Sequence, residues 1–496
     1  MKFIYNSIFI AALLMAGGCK KELYKDPIGL IPTDQVTAEP TVNTVTSSVA
    51  SAYKLLSSRL NLIGSTTWDW NGGTVIRPDF VLQDMASGDL QKKWDANGEQ
   101  PWMDEIINFN FTASNAALIG IWSFDFDGIA RSNRAIASLT NTELMTKIGM
   151  DETTRKNFLG EVYFLRSFYY FDLVNNFGSV PLITIPIANF QDAYKVSVTV
   201  PKAQILTQIT GDLATAKGLL PAAKFSSTTE KWKVSKGAVI ALQAKIALYN
   251  EQWTDVISLV TELETTGYYS LDANYFDNFD VTKEFADNEV IFAYNHISGQ
   301  LPANGNGIAA LLDWGFLAPT TDFINAFEPN DPRLEYTVSV SSRNVNKLLG
   351  TLNGTYKGND DAPSNKILIR MADVLLWKAE AYNETGNYAQ AVAIINQIRT
   401  RARNSLTITG GTAPAGTLPD RTASTDKAQI KTWLMQERRV ELGYESQRFN
   451  DLKRWKLAKT VLTAAGKDFK DNNYLYAVPQ TEIDKSAGTI TQNPGY

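Results

Sequence analysis

Long helical segments separated by long stretches of loop-type composition are the feature that most constrains this fold. Apolar residues recur with helical spacing in a series of segments, and the stretches between them are rich in Gly, Asn, Asp and Pro. The predicted helical segments are roughly 40–60, 116–140, 152–177, 201–219, 234–250, 253–266, 366–385, 387–404, 427–443 and 446–459. The main loop-rich stretches are roughly 61–115, 268–365 and 405–424. Because these are too long for simple connectors, we expect a functional surface mounted on a helical scaffold.

Two pairs of predicted helices resemble each other. The pairs are 239–249 with 253–263, and 374–382 with 388–401. In the second pair, Ala379 and Ala381 are small enough for close helix approach, and Gly386 suits a helix end that needs a left-handed residue. This is the pattern of tetratricopeptide repeats, in which helix hairpins stack and bury a shared face. The spacing is uneven, so we predict irregular repeats with a large insertion between residues 268 and 365.

Two residue counts exclude several classes of chemistry. The chain has one histidine, His296, and one cysteine, Cys19. A zinc enzyme and a disulfide framework within the chain are therefore not expected, and no nucleophile motif points to a histidine-based triad. The formal net charge of −5 gives no basic footprint for nucleic acid. Catalysis by carboxylates is not excluded by these counts. His296 is interpreted as an ordinary polar residue. We expect no metal site and no cofactor.

The N-terminus predicts a lipid anchor. Met1-Lys2 is followed by a mostly apolar run to Ala16, which is too short to span a membrane and typical of a signal peptide. Small residues then precede Cys19, as in the lipobox of bacterial lipoproteins, although Ala16 stands where Leu is more usual. We predict a signal peptide over 1–18, a lipidated tether over 19–39 and one domain over 40–496, with loop-rich insertions at about 61–115 and 268–365. The alternative is an ordinary secretory signal with an incidental cysteine.

Several sequence blocks carry a resemblance to a known family. They run in order along the chain: 160–171 (GEVYFLRSFYYF), 177–182 (FGSVPL), 266–271 (TGYYSL), 327–333 (FEPNDPR), 379–386 (AEAYNETG), 396–402 (NQIRTRA), 437–445 (ERRVELGYE), 448–455 (RFNDLKRW) and 492–496 (QNPGY). Together with the lipobox they resemble the SusD/RagB family of outer-membrane nutrient-binding lipoproteins. Each block alone is weak, but their ordered combination is specific and covers essentially the whole chain.

The resemblance implies a fold and a function. The expected fold is mainly α, with about four irregular tetratricopeptide-like hairpins supporting a loop-rich ligand-binding region that has few short strands. The expected function is capture of oligosaccharides or related nutrients at the outer surface of a Gram-negative bacterium. The protein would deliver them to a SusC-like TonB-dependent transporter, anchored by its lipid to the outer membrane. No catalytic activity is expected.

Two loops carry aromatic residues beside polar ones, which is the pattern of a sugar-binding surface. An aromatic ring packs against the C–H face of a sugar, and polar side chains bind the hydroxyls around it. The candidate ligand-binding residues are Trp68, Trp70, Arg77, Asp79, Trp94, Asn97, Asn295 and Trp314. Trp94 and Trp314 are the first choices, because members of the family that bind glycans place aromatics from these two regions in an arc. The alternative for each is that it packs the loops together.

Other prominent residues have structural interpretations. Arg166, Arg399, Arg401 and Arg454 are expected to join helices through carboxylates such as Glu161, Glu380, Glu437 and Glu441. The tryptophans at positions 253, 377, 433 and 455 are expected to be packing residues. Three alternative functions stay open: a binder of peptides or other nutrients, a protein-binding scaffold, and a surface glycosidase that uses two carboxylates.

Overall fold

The structure is a computed structural model that describes residues 40–60, 62, 76–94, 98–222, 232–284, 288–300, 304–350 and 361–496. The predicted signal peptide, Cys19 and the tether lie outside the described residues. The main hydrophobic core includes residues from Val45 to Ile490, and a smaller cluster groups Tyr275, Phe276, Phe279 and Tyr336.

Helices dominate the described residues. The α-helices are α1 Val42–Tyr53, α2 Pro101–Asn108, α3 Ala116–Thr140, α4 Thr142–Ile148, α5 Glu152–Phe177, α6 Phe190–Val196, α7 Lys202–Leu219, α8 Lys236–Tyr249, α9 Trp253–Thr265, α10 Gly307–Asp313, α11 Thr321–Ile324, α12 Arg333–Thr337, α13 Met371–Glu384, α14 Tyr388–Asn404, α15 Lys427–Glu441, α16 Arg448–Arg454, α17 Ala458–Ala464 and α18 Gln480–Lys485. The strands are β1 Leu90–Lys92, β2 Val180–Pro181, β3 Thr199–Val200, β4 Val290–Tyr294, β5 Leu317–Pro319, β6 Val338–Ser339, β7 Asn344–Val345 and β8 Lys366–Arg370. The prediction of a mainly α fold with few short strands is confirmed.

The two longest helices form the centre of the scaffold. Asn115 and Asp151 cap the N-termini of α3 and α5 by accepting hydrogen bonds from backbone N–H groups inside the first turn. Helix α5 packs against α3 on one side and α7 on the other, and it buries residues around most of its circumference. A helix with neighbours on both sides needs this all-round apolar surface rather than one stripe.

Antiparallel helix pairs extend this centre into an array. Helices α8 and α9 pack together, as do α13 and α14, and α9 contacts α13 so that the two predicted hairpins are neighbours. Gly386 lies in the turn between α13 and α14 with φ +81°, a conformation that a side chain disfavours. Ala379 and Ala381 are fully buried on α13. The stacked-hairpin interpretation of these sequences fits this arrangement.

Two predicted helical segments need correction. Residues 366–370 form β8, which pairs antiparallel with β4, and the helix begins only at Met371. Ile367 and Ile369 are alternate residues, which suits a strand, but so short an apolar run is ambiguous without its partner. The segment 446–459 is divided into α16 and the start of α17, with Lys456 between them at φ +59°.

Short strand pairs join parts of the chain that are distant in sequence. All four sheets in the described residues are antiparallel and two-stranded, with pairs β1–β5, β2–β3, β4–β8 and β6–β7. The stretches predicted as loop-rich contain α2, β1, β4 to β7 and several short helices, so they are irregular but ordered in part. Pairs β1–β5 and β6–β7 position the candidate ligand-binding surface.

Buried arginine–carboxylate pairs connect the helices, as predicted. Arg399 bonds Glu328 and Glu437, Arg401 bonds Glu289 and Glu441, and Arg454 bonds Glu380. Their guanidinium groups lie in the interior, where such bonds are strong and a missing partner is costly.

Arg166 does not use the expected partner. Its carboxylate is Asp212 on α7, held by two bonds of 2.7 Å, whereas Glu161 accepts a hydrogen bond of 2.6 Å from the hydroxyl of Tyr53. The pair joins α5 to α7, and sequence spacing gave no means of choosing Asp212 over other carboxylates.

Candidate functional site

Two exposed tryptophans lie at the end of the β1–β5 strand pair. Lys92 pairs with Leu317, and the backbone N–H of Lys93 donates to the carbonyl of Phe316 at 2.9 Å. Trp94 directly follows Lys93, and Trp314 lies two residues before Phe316, so both tryptophans stand at this end of the strand pair. We call Trp94 and Trp314 the tryptophan pair.

The exposure of the tryptophan pair is unusual for such large apolar side chains. Trp94 is 70% exposed and Trp314 is 43% exposed, and no other tryptophan among the described residues is exposed. Trp377 and Trp455 are buried, and Trp253 and Trp433 pack partly buried against the core, as predicted. Large exposed apolar side chains that lie together mark a binding surface.

Lys93 and Asn344 lie beside the Trp94 ring of the tryptophan pair. The Lys93 ammonium donates to Asn344 Oδ1 at 2.6 Å and lies 5.7 Å from the centre of the Trp94 ring. Gly315 adopts φ +70°, so the turn after Trp314 requires a residue that tolerates the left-handed region. The β6–β7 hairpin, with exposed Val340 at 51%, thereby borders the pair. Neither Lys93 nor Asn344 was among the sequence candidates.

Three of the sequence candidates lie outside the described residues, and one lies elsewhere in the fold. Trp68, Trp70 and Asn97 are not among the described residues. Asn295 directly follows β4 and is half-buried, and its backbone carbonyl accepts a hydrogen bond of 2.9 Å from the side chain of Asn304.

Arg77 and Asp79 occupy the interior instead of the outer surface. Arg77 is 2% exposed, and its guanidinium contacts Asp79 at 2.7 Å, Asp125 at 2.8 Å and Asp172 at 2.5 Å. Asp79 also bonds the ammonium of Lys366. We therefore revise the expectation that Arg77 and Asp79 bind hydroxyls on a surface ligand, because their charged atoms are already held by buried partners.

This ion cluster adjoins a partly open pocket of about 120 Å³. Arg77, Asp79 and Lys366 form part of its polar wall, and Phe168 and Phe171 form part of its apolar wall. Neither member of the tryptophan pair lines it. A pocket of this size and polarity has room for several ordered water molecules.

The cluster has more carboxylates than cations. Burial raises the pKa of Asp125 well above its usual range, against the attraction of Arg77. Burial likewise raises the pKa of Asp172, whereas Arg77 and Lys366 together overcome burial and lower the pKa of Asp79. Both shifts favour the protonated form of Asp125 and Asp172, as expected where three buried carboxylates share two cations.

His296 is a buried structural residue. It is 1% exposed, and burial lowers the pKa of its ring to about 3. Both ring nitrogens have backbone partners, Ser58 and Asn304. The neutral ring thus joins the segment after α1 to the segment before α10, in line with its interpretation as a polar residue without a ligand role.

The described residues hold no group of three or more His, Cys, Asp or Glu side chains arranged to bind a metal ion. Among these described residues, every helix is too short or too polar to cross a membrane.

Comparison with known families gives two matches. Residues 336–496 match the family described as the SusD family, and residues 75–248 match the family described as starch-binding associating with outer membrane. The SusD-like protein P2 of Formosa agariphila is 24% identical, and the alignment covers 99% of this chain and 99% of that protein.

Solved structures with the same fold were also found. The surface glycan-binding protein A from Bacteroides fluxus superposes with a TM-score of 0.74 at 24% identity, covering 92% of this chain and 100% of that one. The surface glycan-binding protein A from Bacteroides thetaiotaomicron, solved in complex with laminarihexaose, gives a TM-score of 0.72 at 19% identity, covering 92% of this chain and 100% of that one. The order of sequence blocks, the helical architecture and these matches lead to one assignment: the chain belongs to the SusD/RagB family.

Proposed function

We propose that this protein captures oligosaccharides at the cell surface and delivers them to a SusC-like TonB-dependent transporter. The observation that carries the proposal is the tryptophan pair, whose two large rings are exposed at the end of one strand pair. An indole ring offers a flat apolar face that matches the C–H face of a pyranose ring.

The polar groups beside the tryptophan pair can hydrogen-bond the hydroxyl groups of a sugar. Lys93 donates hydrogen bonds, and Asn344 both donates and accepts, so hydroxyl groups at the edge of a stacked sugar find partners of either kind. The backbone next to the pair is held by the β1–β5 pairing, which reduces the entropy that binding costs.

The location follows from the N-terminus and the family. We propose that residues 1–18 are removed, that Cys19 carries the lipid, and that residues 19–39 connect it to the described body at Pro40. Several acyl chains would hold the protein firmly at the outer membrane, since each buried methylene contributes roughly 0.8 kcal/mol. The family described as associating with the outer membrane supports this location.

A glycan ligand is favoured over a peptide by the relatives. The similar protein from Bacteroides thetaiotaomicron was solved in complex with laminarihexaose, and the description of the family matched by residues 75–248 names starch. We propose binding without cleavage, because the tryptophan pair is supported by a lysine and an asparagine rather than by two facing carboxylates. Sustained release of reducing ends from bound glycans would contradict this part of the proposal.

Calorimetry on the lipid-free protein tests the ligand class. Laminarihexaose and starch oligosaccharides serve as probes, and the variant Trp94→Ala/Trp314→Ala is compared with Tyr268→Ala. Tyr268 is also an exposed aromatic, at 40%, but it follows α9. We expect the double variant to weaken binding about a hundredfold, since each lost stacking surface costs on the order of 1–2 kcal/mol, while the control binds normally. Equal affinity in the double variant and the wild type would rule out the pair as the platform.

A further inference from the structure

The partly open pocket beside the Arg77 ion cluster is bounded by two helices that each present one face to it. Helix α5 contributes Phe168, Phe171, Asp172 and Asn176, and α8 contributes Lys245 and Tyr249. Spacings of three or four residues place each set on one side of its helix. The pocket is therefore a space between packed helices, and neither ring of the tryptophan pair lines it.

Polar side chains on these two faces lie where packing alone would require apolar ones. Asp172, Asn176 and Lys245 belong to helices whose other residues are mostly buried in the core. A charged or amide group taken out of water costs free energy unless a partner compensates it. Polar residues at such positions break the pattern of the fold, and such exceptions are typical of functional sites.

Asn176 carries a buried oxygen that lacks a partner. The side chain is 1% exposed, and its Nδ2 donates to Oδ1 of Asp172 at 2.9 Å, which fixes the orientation of the amide. No described residue donates to Oδ1 of Asn176, and the same holds for the buried Oδ1 of Asn450, which lines the pocket from α16. A buried acceptor without a partner favours any hydroxyl that donates to it.

Lys245 supplies donors to the same space. Its ammonium donates to Oε1 of Gln447 at 2.9 Å and lies 5.7 Å from the centre of the Trp377 ring, and it forms no ion pair with any carboxylate that the structure describes. Burial lowers the pKa of Lys245 below its ordinary value. Because an ammonium has three N–H groups, Lys245 can still donate to a ligand oxygen in the pocket.

These groups select the chemistry of a ligand. Amide oxygens beside the Asp172 carboxylate repel an anion, and the Lys245 ammonium repels a cation. A zwitterion would bring two full charges into the interior, which is costly. A hydroxyl group is neutral and both donates and accepts, so it matches both kinds of wall.

The apolar wall and the volume limit the size of the ligand. Phe171 and Tyr249 form an edge-on aromatic pair with ring centres 5.2 Å apart, and both line the pocket. Such rings offer a surface for the C–H groups of a polyol. The volume of about 120 Å³ is well below the roughly 300–1,000 Å³ typical of sites for drug-sized ligands. An oligosaccharide is therefore too large for this pocket.

We propose that the pocket binds one neutral polyhydroxyl molecule, no larger than a single sugar ring, at a site distinct from the tryptophan pair. Hydroxyl groups of the ligand donate to Asn176 and Asn450 and accept from Lys245. The inference goes beyond the proposed function, since it requires neither stacking on the tryptophan pair nor a transporter.

An NMR titration of the lipid-free protein tests the site, with glucose, myo-inositol and leucine as probes. All titrations use the Trp94→Ala/Trp314→Ala background, so that stacking on the tryptophan pair does not contribute. Lys245→Met keeps the apolar stem and removes the donor, and Lys236→Met, on the same helix but outside the pocket, is the matched control. We expect at least one polyol to bind, Lys245→Met to weaken that binding about tenfold, the effect of one lost hydrogen bond to a charged group, and Lys236→Met to have no effect.

A second variant keeps the test decisive if Lys245→Met lowers the unfolding midpoint. Asn175 is half-buried and lines the pocket, so Asn175→Phe fills part of the space while leaving Lys245 and Asn176 in place, and it should also weaken polyol binding. A crystal structure soaked with the bound polyol should show it against Lys245 and Asn176.

Three results would overturn the inference. They are ordered water alone in the soaked pocket without polyol binding in solution, binding of leucine but of neither polyol, and polyol binding that both Lys245→Met and Asn175→Phe leave unchanged. Failure of the wild type to bind laminarihexaose would count against the proposed function and leave this inference standing.

Discussion

The backbone N–H of Ser58 donates a hydrogen bond of 3.3 Å to Nε2 of His296, across 238 residues of sequence. Nδ1 of the same ring lies 3.0 Å from the carbonyl of Asn304. The network assigns the proton to Nδ1, because Nε2 must accept from Ser58. A protonated ring would place a second N–H against that of Ser58, so the fold requires neutral His296.

This requirement predicts a pH dependence. Burial lowers the folded-state pKa of His296 to about 3, whereas the unfolded ring has a pKa near 6.5. The unfolded state therefore binds the extra proton first, and the stabilising effect of His296 is lost as pH falls from about 6.5 towards 3. Between pH 6 and 5 the free energy of unfolding of the wild type should fall by roughly 1 kcal/mol per pH unit on account of His296. The variant His296→Gln should lack this part of the fall, and urea unfolding of both proteins measures it. If the free energy of unfolding changed with pH equally in the wild type and in His296→Gln, the prediction would be contradicted.

Asp84 should give stability the opposite dependence on pH. Burial raises its pKa to about 8, although Ser446 donates to the carboxyl through its backbone N–H at 3.2 Å. The folded state keeps a proton that the unfolded state has released above about pH 4, so stability is lost as pH rises from about 4 to 8. Asp84→Asn should be more stable than the wild type at pH 8.5 by at least about 2 kcal/mol and similar to it at pH 4. Chemical denaturation at the two pH values provides the measurement.

Glu441 is the shared partner of three buried guanidinium groups. Arg333 contacts it at 2.9 Å and Arg370 at 2.8 Å, and Arg401 also bonds it. Burial raises the pKa of Glu441, but the three arginines together overcome burial and hold that pKa below its usual range.

Glu441→Gln should therefore destabilise the fold by about 3–5 kcal/mol, because it leaves buried positive charge uncompensated. The matched substitution Glu152→Gln affects an exposed pair with Arg155 and should leave the urea midpoint unchanged. A shift of the midpoint that is equally small in both variants would show that the buried network contributes little.

The long helices could be predicted from the sequence because their signals are local. The bounds of α3 and α5 agree with the predicted segments, since apolar spacing and the capping residues Asn115 and Asp151 act within a few residues. Strand β8 could not be distinguished from the start of α13, because its identity depends on β4, which is distant in sequence. The pairing of Arg166 with Asp212 could not be predicted for the same reason, since the two residues are distant in sequence.

The candidate site was predictable only in part. Trp94 and Trp314 stand out in loop-rich sequence beside polar residues, and the structure places both at the surface. Arg77 has the same kind of sequence surroundings, yet three carboxylates from different parts of the chain hold it in the interior. Local composition does not reveal such long-range ion pairs, which decide whether a charged side chain is free for a ligand.

Asn344 is one of the two site residues that sequence reasoning missed, and it provides the last prediction. Its Oδ1 accepts from Lys93 at 2.6 Å, across 251 residues of sequence, and so fixes the ammonium near the Trp94 ring. Asn344→Ala should free the Lys93 side chain and weaken oligosaccharide binding about threefold to tenfold, the effect of one lost hydrogen bond of about 1 kcal/mol. Ser342→Ala, on the same β6–β7 hairpin, removes only a bond to Ser339 and should bind normally. Calorimetry measures the affinities, and unchanged unfolding midpoints would show that the loss of affinity does not come from lost stability. Equal affinities of the Asn344→Ala and Ser342→Ala variants would mean that Lys93 needs no fixed orientation.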